Sequence, residues 1–512
     1  MMKLDKFTLD NGLRVVHHYD ASTPMVQVNL MYDIGSKDEE PEQTGMAHLF
    51  EHLMFEGSEN VSSYDEPMQK AGGDNNAWTS KDVTNYYFSI PRENLEVGLW
   101  LESDRMLALD FNQKSLDVQK NVVCEEFKQR NLNQPYGDVP HLISSLAFKK
   151  HPYGWPTIGR ELSHIESVSL DDVRDFFFSH YAPNNAVLAV AGNVTLDDLK
   201  SLVDKWFGSI PERKLKPRVL QPEPKQTEPR FLEVFRDVPV DVVYKVYHTE
   251  GRRDRGYFVS DLVSDILANG RSARLYQRLI VESQKFLEVN AYISGDVESG
   301  LFYVVGNPNE GVSLEEADSL LTAELEKLKQ ERVEESELEK VKNKFESMHL
   351  LTEMSLANKA NNMAYFEILG DAIGQGQGSN VFSCFNGCDG LPCGAYRQRQ
   401  FFGFCSAAET VAQAAAGDVA QHAGRETGGI AVDQEEQRRI AHGLSSQIHQ
   451  IIQLVFQLPH LAAGATAIAG RIHQDAIVAV AAAKLAAHKG FGILDDKAGI
   501  GFVNTGQVTV LL

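Results

Sequence analysis

The sequence predicts an α+β protein of two homologous lobes, each a sheet covered by helices, followed by a tail of different character. Three observations carry this expectation. Strand patterns alternate with amphipathic helical patterns along residues 1–372. A strand-then-helix unit occurs twice: VQVNLMYDIGS leads into an apolar helical run ending at FEGS, and VDVVYKVYHTEG leads into YFVSDLVSDILANGRS. Setting Gly57 on Gly270, an offset of 213, brings both strands into register within a few residues, as an internal duplication would. The composition also breaks near residue 373. Nine basic and ten acidic residues fall in 373–512, against 40 and 61 in 1–372, so charge density roughly halves.

The elements follow in chain order. Residues 1–210 are the first lobe. SLDDVRDFFFSHY opens with Ser169 and acids in its first turn, a helix start, and NAVLAVAGNV (185–194) is an apolar strand. Residues 211–229, PERKLKPRVLQPEPKQTEP, hold five of the 18 prolines and read as an extended linker, because proline fixes φ and lacks a donor. Residues 230–372 are the second lobe, with SLEEADSLLTAELEKLKQERV (313–333) apolar at helical spacing. Residues 373–512 form an Ala-, Gly- and Gln-rich tail.

The whole chain has 512 residues, 43% apolar and 23% charged, with a net charge of −22. That balance excludes a mainly disordered or collagen-like chain. An acidic surface repels phosphate backbones, so nucleic acid is not an expected partner. No run of about 18 apolar residues is present, so no membrane span is expected. Five cysteines do not make a disulfide framework.

The strongest chemical signal is GMAHLFEHLMFEGS, residues 45–58. His48 and His52, at i and i+4, project from one helix face and can converge on one Zn²⁺. Glu51 lies on the same face and can act as general base toward the hydrolytic water. A catalytic zinc needs a third protein ligand. LDVQKNVVCEEFKQR (116–130) offers Glu125 or Glu126; adjacent helical residues point about 100° apart, so one of them faces the metal and the other turns away.

HLFEHLMFEGS, GGDNNAWTSKDVTNYYFSIP, QKNVVCEEFKQR and HPYGWPTIG, in this order, resemble the pitrilysin/insulinase family of inverzincin metallopeptidases. Among its branches the chain is most similar to the bacterial enzymes that resemble the mitochondrial processing peptidase beta subunit. The resemblance covers residues 3–372. It implies two lobes with mostly antiparallel sheets in a clamshell, a Zn²⁺ cofactor, His48, His52 and Glu126 as ligands, and Glu51 as general base. Glu125 becomes a neighbour in a second shell. The family glutamate thought to assist catalysis is replaced by Gln119, which can hydrogen-bond but carries no charge. Asn76 and Ala77 match the edge strand on which relatives lay an extended substrate.

Under the 213 offset, His48, Glu51 and His52 fall on Asp261, Ser264 and Asp265, so the second lobe carries no zinc set. Catalytically complete relatives offer an Arg and a Tyr seven residues apart in this half; here Ile280 and Leu287 stand at those positions, with Arg278 and Tyr292 nearby at the wrong spacing. The resemblance therefore implies a homologous partner supplying that half-site in a heterodimer, with a homodimer as the alternative, and peptides or unfolded polypeptides as substrate. A scaffold subunit that keeps zinc but not turnover is the competing reading. The N-terminus MMKLDKFTLDNGLRVV has no basic region followed by an apolar run, so a bacterial cytoplasmic location is expected. The tail carries four of the cysteines, Cys384, Cys388, Cys393 and Cys405, and lacks the closing helix and strand that relatives have. An out-of-frame or rearranged segment and an extra domain are both compatible with it.

Overall fold

The computed structural model describes residues 3–370 and the backbone of Gly506–Leu511. The first lobe is a six-stranded sheet in the order β1-β2-β6-β3-β5-β4, from β1 (Asp5–Thr8), β2 (Arg14–Tyr19), β3 (Met25–Tyr32), β4 (Asp74–Thr79), β5 (Thr84–Pro91) and β6 (Ala186–Gly192). Only the β2–β6 pairing is parallel. Its helices are α1 (Met46–Leu53), α2 (Asp65–Lys70), α3 (Leu95–Leu107), α4 (Gln113–Phe127), α5 (Val139–Ala147), α6 (Leu162–Glu166), α7 (Leu170–His180) and α8 (Leu196–Phe207). Ser169 caps α7 as expected, its hydroxyl accepting from the Asp172 N–H.

The central strand β6, AVLAVAG, is buried along its whole length because both faces of the sheet are covered. Val28, Leu30, Leu188 and Val190 enter the main core with Leu49, Phe50 and Leu53 of α1. Met31, Val187 and Ala189, on the opposite face, pack against Met363, Ala364 and Tyr365 from the second half of the chain.

The second lobe holds β7 (Phe231–Arg236), β8 (Val242–Thr249), β9 (Phe286–Ile293) and β10 (Gly300–Pro308), with α9 (Arg255–Ala268), α10 (Leu314–Gln330), α11 (Glu335–Thr352) and α12 (Leu356–Ile368). A fifth strand, β11 (Gly506–Leu511), lies between β7 and β8. The second lobe is therefore not confined to 230–372: the last residues of the segment read as a tail contribute a strand to its sheet. β11 takes the slot that β6 has in the first lobe but runs the other way, parallel to β8 and antiparallel to β7. The readings made for residues 373–505, including the cysteine cluster, lie outside the described residues.

The duplication is visible in an exchange of helices. α5, from the first half, packs Val139, Ile143 and Ala147 against Val242, Val246 and Leu301 of the second sheet. α12, its counterpart in the second half, packs on β3 and β6 of the first. Each lobe thus buries an apolar sheet face with a helix of the other. The expected linker runs as coil but is pinned to the first lobe: Arg213 donates to the carbonyls of Tyr181, Met106 and Leu107, Arg218 pairs with Asp33 and Asp38, and Glu223 accepts from three successive N–H groups, 149–151.

Candidate metal centre

α1 starts abruptly. Gly45 has φ +88°, and a Cβ there would meet the Ile158 carbonyl at 2.8 Å, so the turn demands glycine. The buried carboxylate of Glu39 accepts from the Gly45 and Ala47 N–H groups at 2.9 and 2.8 Å, and from the Trp155 indole at 3.0 Å. These bonds satisfy donors that a helix N-terminus leaves open. Met46, Ala47, Leu49, Phe50 and Leu53 enter the core, which turns His48, Glu51 and His52 to the other face.

The two imidazoles stand 4.9 Å apart between centroids. Glu126, reaching across from α4, places Oε2 3.6 Å from His48 Nε2 and 3.5 Å from His52 Nε2. Among the described residues this is the one group of three His, Cys, Asp or Glu side chains whose donor atoms fall within 4.8 Å of one another. Ligands of a tetrahedral zinc with bonds of about 2.0–2.1 Å lie about 3.4 Å apart, so two imidazole nitrogens and one carboxylate at these separations fit that ion and leave a fourth position open.

Burial lowers the pKa of His48 to about 4, keeping the imidazole neutral as a metal ligand must be. Burial acts the same way on His52, but Glu126, Glu51 and Gln119 outweigh it and raise its pKa. Glu126 is buried enough to resist charge, yet the His52 hydrogen bond and the charges of His48 and Arg130 hold its pKa below the usual range. Burial raises that of Glu51, opposed by a hydrogen bond from the Thr79 hydroxyl on β4. A carboxylate with a raised pKa and one fixed donor has the character of a general base.

Gln119 stands on the same face of α4 as Glu126, two turns earlier. Its Oε1 accepts from His52 Nδ1 at 3.2 Å, while its amide donates to Glu56. Glu125 was expected beside the ligands. It instead points to solvent, 61% exposed, and pairs with Lys128, because the turn between successive helical residues carries it away from Glu126. Asn76 and Ala77 lie on β4, the edge strand of the first sheet, with the Asn76 side chain accepting from the Ala77 N–H. Sequence reading missed Glu39, Glu56 and Thr79. The last two stand inside the quoted motifs; Glu39 has no local signal, since its partners come from tertiary folding.

In the second lobe Leu287 is 57% exposed on β9 and Ile280 lies in the π-helical turn Tyr276–Glu282. Arg278 pairs with Glu282, and Tyr292 stacks on Tyr303 with centroids 4.7 Å apart.

Residues 14–161 match the profile described as Insulinase (Peptidase family M16), and residues 167–345 match that of the Peptidase M16 inactive domain. The zinc protease PqqE of Helicobacter pylori is 31% identical over 350 residues, which cover 66% of this chain and 78% of that protein. An uncharacterized zinc protease of Bacillus subtilis, YmxG, is 27% identical over 370 residues, 72% of this chain and 88% of the other. The solved structure of a protease from Helicobacter pylori superposes with a TM-score of 0.65 at 25% identity, covering 74% of this chain and 92% of that one. With its ordered motifs, two lobes and convergent His48, His52 and Glu126, the chain belongs to the pitrilysin/insulinase (M16) family of zinc peptidases.

Proposed function

We propose that this chain is the zinc-carrying subunit of an endopeptidase that hydrolyses peptides or unfolded polypeptides, working with a homologous partner that supplies an Arg/Tyr half-site. The observation that carries the reading is the placement of Glu51: one helical face holds it beside His48 and His52, and Thr79 ties it to β4. Held by His48, His52 and Glu126, Zn²⁺ supplies Lewis acidity and a water of lowered pKa. Glu51 accepts the proton and returns it to the leaving amine. The outer edge of β4, at Asn76 and Ala77, pairs with an extended peptide through main-chain hydrogen bonds, which gives affinity without strong side-chain selection. The partner follows from Ile280 and Leu287, which provide no donor toward a developing oxyanion.

The test is zinc content and cleavage of an unfolded polypeptide by the full-length chain, with and without a homologous partner. Glu51→Gln is expected to bind zinc as the unaltered chain does and to lose about 10²–10⁴-fold in cleavage rate. Zinc bound with no cleavage in either condition supports the other reading, a scaffold subunit that keeps the site and has lost turnover.

A further inference from the structure

We infer that Glu56 and Gln119 act together as a positioning pair for His52, with the Glu56 carboxylate orienting the Gln119 amide so that His52 presents a lone pair, and not a proton, to the metal. The inference deepens the zinc-site reading and rests on it. His48 and His52 are held differently: His48 Nδ1 has no hydrogen-bond partner among the described residues, whereas His52 Nδ1 lies 3.2 Å from Gln119 Oε1. His52 Nε2 is the nitrogen that faces Glu126 and the metal position, so Nδ1 must carry the proton of the neutral ring and needs an acceptor.

A carboxamide does not guarantee one. Flipped by 180°, Gln119 would present its NH₂ to Nδ1, and that arrangement favours the tautomer with the proton on Nε2, where it blocks coordination. Glu56 removes the ambiguity. A carboxylate only accepts, and it takes the Gln119 amide N–H, leaving the carbonyl oxygen toward His52. Glu56 sits one turn beyond His52 in the chain and Gln119 reaches it from α4, so the pair also bridges the two segments that bring the ligands together. A neutral glutamine beside a ligating histidine thus works because a charge stands directly behind it.

The experiment measures zinc affinity of the full-length chain by competition with a chromogenic chelator. Glu56→Gln keeps the size of the side chain but can accept or donate, so it no longer dictates the amide orientation. Its zinc affinity is expected to fall about tenfold, at the lower end of what outer partners of metal ligands contribute. The double variant Glu56→Gln with Gln119→Glu puts an acceptor-only carboxylate directly against His52 Nδ1 and is expected to recover affinity close to that of the unaltered chain. A folding defect is separated from this effect by the unfolding midpoint in excess chelator, which should match for all three proteins. Imidazole ¹⁵N shifts of His52 give a second readout, with Nδ1 protonated in the zinc-loaded chain. Unchanged affinity in Glu56→Gln, or a loss that the double variant does not recover, overturns the inference. An unaltered chain that binds zinc but cleaves nothing counts against the peptidase reading and leaves this inference standing.

Discussion

In the first lobe α1 packs on α4, and in the second α9 packs on α11. Where α1 carries His48, Glu51 and His52, the offset places Asp261, Ser264 and Asp265 on α9, all three no more than 2% exposed. The seam between α9 and α11 is apolar: Leu262 and Ile266 meet Val341 and Phe345. The α1–α4 seam instead leaves His48, His52 and Glu126 between 12 and 23% exposed and converging from two helices. A pair of packed helices can therefore spend its shared face on a core or on a site. What separates the two is a pair of histidines on the first helix and an opening to solvent, since α11 carries acidic residues as α4 does.

The largest expected effects test that contrast with one substitution in each seam. Glu126→Gln removes a ligand, and zinc affinity should fall by more than the ~10–100-fold that an outer partner contributes. The chelated protein should keep its unfolding midpoint. Phe345→Ala should do the reverse, lowering stability by about 3–5 kcal/mol through the cavity it leaves, with zinc affinity per folded molecule unchanged. Chelator competition and denaturant unfolding on both variants check this. If Phe345→Ala lowered zinc affinity, the two seams would not be independent.

The joint between the lobes gives the next effect. Asp82, in the turn from β4 to β5, pairs with Lys37 at 2.8 Å in a buried setting, and accepts from the Tyr153 hydroxyl and from the Val297 N–H of the second lobe. Burial opposes its charge, but Lys37, Tyr153 and the Val297 amide outweigh this and hold its pKa below the usual 3.8. A depressed carboxylate pKa stabilises the fold above the unfolded value, and that stabilisation is lost as pH falls through the folded one. Asp82→Asn leaves Lys37 buried without its counter-charge and should cost about 3–5 kcal/mol near neutral pH. The gap between variant and unaltered chain should narrow as pH drops below 3.8. Urea unfolding at several pH values measures it; a gap independent of pH would remove Asp82 as the source.

How much of this was legible in the sequence depended on whether the signal was local. The H-x-x-E-H spacing placed three side chains on one helix face, and the Ser169 cap needed only its own turn. Glu126 rather than Glu125 followed from the family pattern, and the helix geometry shows why: only one of two neighbours can face α1. The roles of Trp155 and Tyr153 were not readable from HPYGWPTIG, because they depend on Glu39 and Asp82, more than 70 residues away. The helix exchange was hidden for the same reason, since nothing in the pattern of α5 says which sheet its apolar face will cover. β11 was missed because GQVTVL follows a long stretch of different composition, and its partners β7 and β8 lie far back in the chain.

The smallest expected effect separates holding the metal from moving the proton. Thr79 touches neither ligand histidine in the bonds it makes; its hydroxyl donates to Glu51 Oε2. Thr79→Val keeps the branched shape and suits a strand, so β4 should stay paired with β5. Zinc affinity should not change. The hydrogen bond opposes the rise that burial imposes on the Glu51 pKa, so removing it lets that pKa climb further. A base must be deprotonated to act, and the acid limb of kcat/KM should therefore move to higher pH. A hydrogen bond to a charged group contributes about 1.5–3 kcal/mol, which bounds the loss at low pH at about 10–100-fold. On the alkaline side, where Glu51 is ionised in both proteins, the loss should shrink to whatever the misplacement of its carboxylate costs. A uniform loss at every pH would assign Thr79 to geometry alone, and a loss of zinc would place it with the ligands.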